Sequence, residues 1–473
     1  MAKGSRFGLA RIATVLAAAV LLLGGAVPYV GGAARTYHAY LVVGRTDGPQ
    51  GVAQATDAVR AAHGIVGQAY PQVGVVLAYG STADFGARLR ARPDIVAAGA
   101  SRTVAVQNPP IGSADGLEGD DVPFAGDPGG RPAWNQSMIG ESMGVPVSAD
   151  ALHKVVVAVL DSGVDERHPD LRAAVDTSRS ASCGTGVPDT RQGAWRPDSR
   201  MSESGHGTHV SGIIAADRAD QHHGVRGVAP GARIAAVRLL SANGQYYGEN
   251  LVCGFLWAAD HGARVINDSY FADPWKYNCP GDPDQAAIIA AVGRAVAYAQ
   301  AKGAVVVASA GNDAQDLGGP RTDDRSPNDH VDGPVTTRQL GPDCVRLPGG
   351  LPGVVDVSAL DAQGNLAGYS NWGRGWISLA APGGDPDGGE QQSVISDWPG
   401  DRYAALAGTS MAAAHVSGVA ALYAALHPGA GSAELVREME RAALPLDCPG
   451  HDVKSRACTG AAYFGYGLVE APH

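Results

Sequence analysis

Residues 154–171 read KVVVAVLDSGVDERHPDL. Val155 to Leu160 are all apolar, and a strand without polar alternation needs cover on both faces, as the strands of a parallel sheet have. Asp161 closes the run and Gly163 turns the chain at once. A carboxylate there sits at the carboxyl edge of a buried sheet, where open α/β folds gather ligands and catalytic groups. Runs of the same kind return as ARIAAVRLL (232–240), ARVINDS (263–269), AVVVASAG (304–311), GVVDVSAL (353–360) and WISLAAPG (376–383), alternating with Ala-rich helical stretches. They predict an α/β domain: a mostly parallel sheet with helices on both faces.

Ahead of this domain the pattern differs. TYHAYLVVG (36–44) is a strand, TDAVRAAHG (56–64) a helix ending at Gly64, AYPQVGVVLAYG (69–80) two strands, ADFGARLRARP (83–93) a helix and IVAAGASRTVAV (95–106) a last strand. That order predicts a small α+β unit of split-βαβ size over residues 35–107. Residues 108–131, rich in Gly, Pro and Asp, read as a solvated linker, and 132–473 as the large domain. Residues 1–34 read as an export signal, because Lys3, Arg6 and Arg11 precede the apolar run IATVLAAAVLLL, with cleavage expected near Ala34. Gly24, Gly25 and Pro28 interrupt the run before it reaches the ~20 residues of a membrane span, so the mature chain is expected to be secreted and free of the membrane.

With 473 residues and a formal charge of −11, and no basic stretch beyond the N-terminus, the chain is a poor candidate for binding nucleic acid. An even count of six cysteines in an exported chain argues for disulfides. Cys448 and Cys458 can close a local loop, and Cys279 and Cys344 can tie two irregular segments. Elimination leaves Cys183 with Cys253. None forms a CxxC pair, which counts against zinc.

Three segments carry chemistry. Asp161 taken alone is a turn residue. SGHGTHVSGIIAA (204–216) offers His206 and His209 on one helical face, but lacks the Glu of a zinc-protease helix. GTSMAAAHVSG (408–418) sets Ser410 as an N-cap at the positive end of a helix starting near Met411. Together an Asp, a His and a Ser at one sheet edge suit nucleophilic catalysis: the Ser needs a His base, and the His a carboxylate that fixes its tautomer. The chain order Asp, His, Ser differs from the chymotrypsin and α/β-hydrolase orders.

These three blocks resemble the signature blocks of the subtilisin-like serine proteases, over roughly residues 130–470. The resemblance implies Asp161 as orienting carboxylate, His206 as general base and Ser410 as nucleophile. VVVASAGND (305–313) resembles the family's oxyanion strand, which puts Asn312 and the Ser410 backbone N–H at the oxyanion; losing such an Asn costs about 10²–10³ in turnover, as measured on a subtilisin. The small unit resembles the inhibitory propeptide of many such enzymes.

VINDSYF (265–271) resembles the segment that lines the cleft, which marks Ser269, Tyr270 and Phe271 as substrate-binding. Phe271 stands where the family has Gly and is expected to narrow the distal subsites. Asp313 lies near the base of the expected primary pocket, as an attractor of Lys or Arg or as an exposed turn carboxylate. Residues 314–344 read as a solvated Asp-rich loop. The family usually has Pro at Ala414, in the first helical turn, where Pro is welcome. No cofactor is expected for the chemistry. Structural calcium is possible at an unknown site, since His222 and His223 replace the oxygen ligands of the family's loop. The expectation is a monomeric, self-processing secreted endopeptidase acting on proteins or peptides, with its own propeptide as partner. The alternatives are a selective processing protease and a catalytically silent binding protein of the same fold.

Overall fold

In a computed structural model the chain is described over residues 36–106, 124–129, 133–140, 147–217, 223–330, 337–447 and 460–473. The expected signal, most of the linker, His222, Cys448 and Cys458 lie outside these residues. The N-terminal part runs β1 (His38–Gly44), α1 (Gly48–Ala61), β2 (Ile65–Tyr70), β3 (Val75–Gly80), α2 (Phe85–Arg90) and β4 (Ile95–Ala100). The strands form an antiparallel sheet in the order β2-β3-β1-β4. Helix α1 starts eight residues ahead of the expected Thr56, with Pro49 in its first turn, where a missing N–H costs nothing.

The apolar run of β1 has two faces in use. Tyr40 and Val42 pack with Phe85, Leu89, Ala55 and Val59 of the unit's own helices. Ala39, Leu41 and Val43 pack instead with Leu251, Phe255, Ile288 and Val292 of the large domain. Period-2 geometry sends alternate side chains to opposite faces, and both are apolar because both are covered.

The large domain continues with β5 (Phe124–Ala125), α3 (Trp134–Met138), α4 (Ala149–Leu152), β6 (Val156–Asp161) and β7 (Ala181–Ser182). Next come α5 (His206–Ala215), β8 (Arg233–Arg238), α6 (Gly248–Asp260), β9 (Val265–Asp268), α7 (Pro283–Ala301) and β10 (Val305–Ser309). Then follow β11 (Arg321–Asp323), β12 (Arg338–Leu340), β13 (Val355–Leu360), β14 (Leu379–Pro382), β15 (Val394–Trp398) and β16 (Arg402–Leu406). The chain ends through α8 (Thr409–Leu426), α9 (Ser432–Ala442) and α10 (Ala461–Phe464).

Seven strands form the central sheet in the order β14-β13-β10-β9-β6-β8-β7, every pair parallel. Val157 and Val159 of β6 face the core shared with α5, α8 and α9, while Ala158 and Leu160 face that of α6 and α7. The fold is therefore the expected α/β sheet with helices on both faces, and Asp161 ends β6, an interior strand flanked by β9 and β8.

Two segments read as solvated loop are ordered by distant partners. Phe124 and Ala125, inside the expected linker, pair with Ala404 and Tyr403 of β16. The Asp-rich stretch 314–344 contains the β11–β12 hairpin, with Arg321 and Asp323 buried and Asp323 paired with Arg338.

Candidate active site

Strand β6 delivers Asp161 fully buried to the sheet's carboxyl edge, and α5 begins at His206 directly above it. His206 Nδ1 lies 3.0 Å from both carboxylate oxygens of Asp161, and Oδ1 also accepts the Ser162 N–H at 2.6 Å. This close approach requires Gly207, since a Cβ there would stand 2.9 Å from Asp161 Cβ and 2.5 Å from Gly163 O. Ser162, which the sequence reading passed over, joins the two blocks: its hydroxyl donates to Ser204 O at 2.8 Å and accepts the Gly207 N–H at 3.1 Å. An orphan amide at the start of α5 is thereby satisfied.

Ser410 lies at the start of α8, but not as its cap. Gly408 is the N-cap, and Ser410 is the second helical residue. Its Oγ donates to Ser269 O at 3.3 Å, and Ser269 Oγ donates back to Ser410 O at 3.4 Å. The neighbouring Tyr270 sets its ring 4.8 Å from the His206 ring and stacks on Tyr246 at 3.8 Å. One dipeptide thus touches Ser410 with one residue and His206 with the next. Ala414, placed by the sequence reading in the first turn, is the sixth residue of α8. Its N–H falls within the regular i to i−4 ladder, so the reason offered for Pro at this position does not apply here.

Asn312 follows β10 on the other side of Ser410. Its Oδ1 accepts the Thr409 N–H at 3.0 Å and the Thr409 hydroxyl at 2.8 Å, which leaves Nδ2 as the outward donor. The point a Cβ on Gly408 would occupy lies 3.3 Å from that Nδ2 and 3.8 Å from Ser410 N. Asn312 Nδ2 and the Ser410 N–H therefore lie near one another beside Gly408 at the mouth of a helix, a placement suited to a developing oxyanion. Thr409 and Asn371 were both missed from sequence. Asn371 braces the segment after Asn312, its Oδ1 accepting the N–H groups of Asp313 and Gln315 at 3.1 and 3.0 Å. Only the Gly-Thr-Ser triplet signals Thr409 in sequence.

The remaining site candidates part company. Ser269 is buried beneath Ser410. Asp313 is not an exposed turn carboxylate, because Lys276 pairs with it and the Tyr277 hydroxyl approaches at 3.4 Å, so its charge is already answered within the chain. The Tyr270 ring lies beside His206, while Phe271 faces the Arg346 guanidinium at 5.2 Å. His209 is fully buried: its Nε2 contacts the carbonyls of Val394 and Ala404 at 3.1 Å, and burial pushes its pKa down to about 3. It is a neutral core residue that ties α5 to the β15–β16 pair.

Disulfides join Cys183 to Cys253 and Cys279 to Cys344. Among the described residues, His168, Asp170 and Asp397 bring possible metal-ligand atoms within 4.8 Å of one another. One imidazole and two carboxylates do not match calcium, which takes six to eight oxygens, and Asp170 Oδ2 already accepts the Val225 N–H at 2.7 Å. In the loop where histidine replaces the oxygen ligands of the family, His223 Nδ1 lies 2.8 Å from Asp127, whose Oδ1 accepts the Gly224 N–H at 2.9 Å.

A parallel sheet that gathers an Asp–His pair, a helix-borne Ser and an oriented Asn at its carboxyl edge defines an α/β architecture with the parts of a nucleophilic site. Within that class the chain belongs to the subtilase family, whose model matches residues 153–467. It is 33% identical over 315 residues to a thermophilic serine proteinase of Bacillus sp. (strain AK1), a match covering 67% of this chain and 60% of that protein. It is 30% identical over 356 residues to fervidolysin of Fervidobacterium pennivorans, covering 71% of this chain and 42% of that one. The chain therefore spans less than two thirds of the length of these relatives. Among solved structures, the epidermin leader peptide processing serine protease of Staphylococcus aureus shares the fold with a TM-score of 0.64 at 20% identity, covering 92% of this chain and 97% of that one. A lanthipeptide protease structure has a TM-score of 0.53 at 26% identity, covering 72% and 93%.

Proposed function

We propose that the protein is a secreted serine endopeptidase made as a self-processing zymogen. The observation that carries this reading is the convergence of Asp161, His206, Ser410 and Asn312 at one sheet edge, with His206 Nδ1 3.0 Å from the buried carboxylate. In the proposed reaction His206 takes the Ser410 proton as Oγ attacks the substrate carbonyl. Asp161 holds the Nδ1–H tautomer and stabilises the imidazolium, and His206 returns the proton to the leaving amine. The oxyanion forms between Asn312 Nδ2 and the Ser410 N–H. Water then hydrolyses the acyl-enzyme by the same proton path.

The N-terminal α+β unit acts as chaperone and inhibitor in this reading. Its support is the tail after β4, which is held to the large domain by Arg102 on Glu249 at 2.8 Å and by the Thr103 N–H on Asp329 at 2.9 Å. A selective processing role is favoured over general degradation by the Tyr246–Tyr270 stack set against His206, which crowds the cleft beside the reacting groups. The lanthipeptide protease match fits that choice.

N-terminal sequencing of the secreted protein beside its Ser410→Ala variant tests the reading. The wild type is expected to begin beyond Val106 and the variant to keep the N-terminal unit. Identical processing of both in isolation contradicts self-cleavage, and absence of fluorophosphonate labelling at Ser410 of the processed wild type contradicts the peptidase role.

A further inference from the structure

The segments Ser269–Phe271 and Ala310–Asn312 leave the adjacent parallel strands β9 and β10 and pass on either side of Ser410. Arg346 lies between them. Its Nη1 donates to Tyr270 O at 3.2 Å, and a Cβ on Gly311 would stand 2.8 Å from its Nε. Gly311, at φ +102°, leaves room for the guanidinium. The residue is held firmly: its neighbour Val345 exchanges two 2.8 Å backbone hydrogen bonds with Asn278, and Cys344 is bonded to Cys279.

Arg346 is only 8% exposed. Its Nε is buried without a hydrogen-bond partner, and among the described residues no carboxylate stands at ion-pair distance from it. Lys276 already answers the charge of Asp313. Asp268, Asp273 and Asp356 surround Arg346 at longer range, and burial pushes their pKa values up to about 8, 7 and 7. Where they hold protons they do little to compensate the cation, whose guanidinium otherwise lies over the Phe271 ring at 5.2 Å. A buried guanidinium with one hydrogen bond is costly unless an anion arrives to complete it.

We propose that Arg346 forms the base of the primary substrate pocket and selects an acidic side chain at the residue whose carbonyl Ser410 attacks. A glutamate carboxylate entering between the two segments approaches the guanidinium and supplies the acceptor that its buried Nε lacks, in the paired geometry guanidinium groups use for carboxylates. This inference rests on the endopeptidase reading above and gives that site a substrate class.

The test uses the purified wild-type protein at pH 6 and paired peptides that differ only by Glu or Gln at that residue. Glu is expected to exceed Gln in kcat/KM by about 10- to 100-fold, the worth of a hydrogen bond to a charged group. In Arg346→Gln the ratio is expected to fall close to unity, whereas a folding defect would lower both rates alike. Arg346→Lys is expected to keep part of the preference. Equal cleavage of the two peptides by the wild type, or an unchanged ratio in Arg346→Gln, overturns the proposal. If a fluorophosphonate labels wild-type Ser410 while that preference is absent, this inference falls alone. If it does not label, the peptidase reading falls as well.

Discussion

Which end of the Asn312 amide faces the cleft is decided by Thr409. Its hydroxyl accepts the Gly311 N–H at 3.1 Å and donates to Asn312 Oδ1 at 2.8 Å, so one side chain sets both the strand end and the amide. Thr409→Val keeps the shape and removes both bonds. It is expected to lower kcat by up to about tenfold with KM little changed, checked by steady-state kinetics. Asp268, paired across the sheet with Leu160, offers a second test. Burial raises its folded pKa to about 8, and the Asp161 charge adds to the shift. The folded state binds this proton more tightly than the unfolded chain does. Its contribution is therefore complete below the ordinary carboxylate range and is lost as pH rises through about 8. Asp268→Asn is expected to gain thermal stability over the wild type between pH 4 and 8, at up to about 1.4 kcal/mol per pH unit, and to level off above. Asp161, His206, Ser410 and Asn312 were legible because Gly-rich blocks flank them. Arg346 was not, since nothing in DCVRLPGG marks a residue that the fold brings beside Tyr270 and Gly311.

At the level of elements, legibility followed the source of stability. The strands of the central sheet announce themselves because burial on both faces forces long apolar runs such as VVVAVL. The β11–β12 hairpin does not, since its order comes from the Asp323–Arg338 pair between its own strands and from the disulfide that ties Cys344 to Cys279, 65 residues away. The start of α8 was misplaced by two residues because Gly408 and not Ser410 caps it, a distinction set by backbone geometry. Cys279→Ser with Cys344→Ser removes the tether beside Arg346. The pair is expected to cost about 2–4 kcal/mol of stability and to raise KM more than it lowers kcat, read by denaturant unfolding and kinetics.

Over the whole molecule, residues 36–473 form one compact unit, with the N-terminal sheet laid on α6 and α7. The order of that small unit was legible, but its docking was not: the odd-numbered side chains of β1 look like an ordinary strand core until α6 and α7 are in place. The Arg102–Glu249 pair is its most deeply buried ionic contact to the large domain among the described residues, with Glu249 wholly enclosed and the Tyr247 ring 4.0 Å from the guanidinium. Arg102→Ala leaves that carboxylate buried and unpaired, a loss of about 3–5 kcal/mol. The variant is expected to release or degrade the N-terminal unit sooner, as followed by a processing time course.

The central claim is that Ser410 is an activated nucleophile. Intact-mass and peptide analysis after reaction with a fluorophosphonate tests it most directly, using processed wild type beside His206→Ala. One adduct per wild-type chain is expected, on the peptide that carries Ser410, and almost none in the variant. No adduct on the processed wild type, or an adduct on another residue, would contradict it.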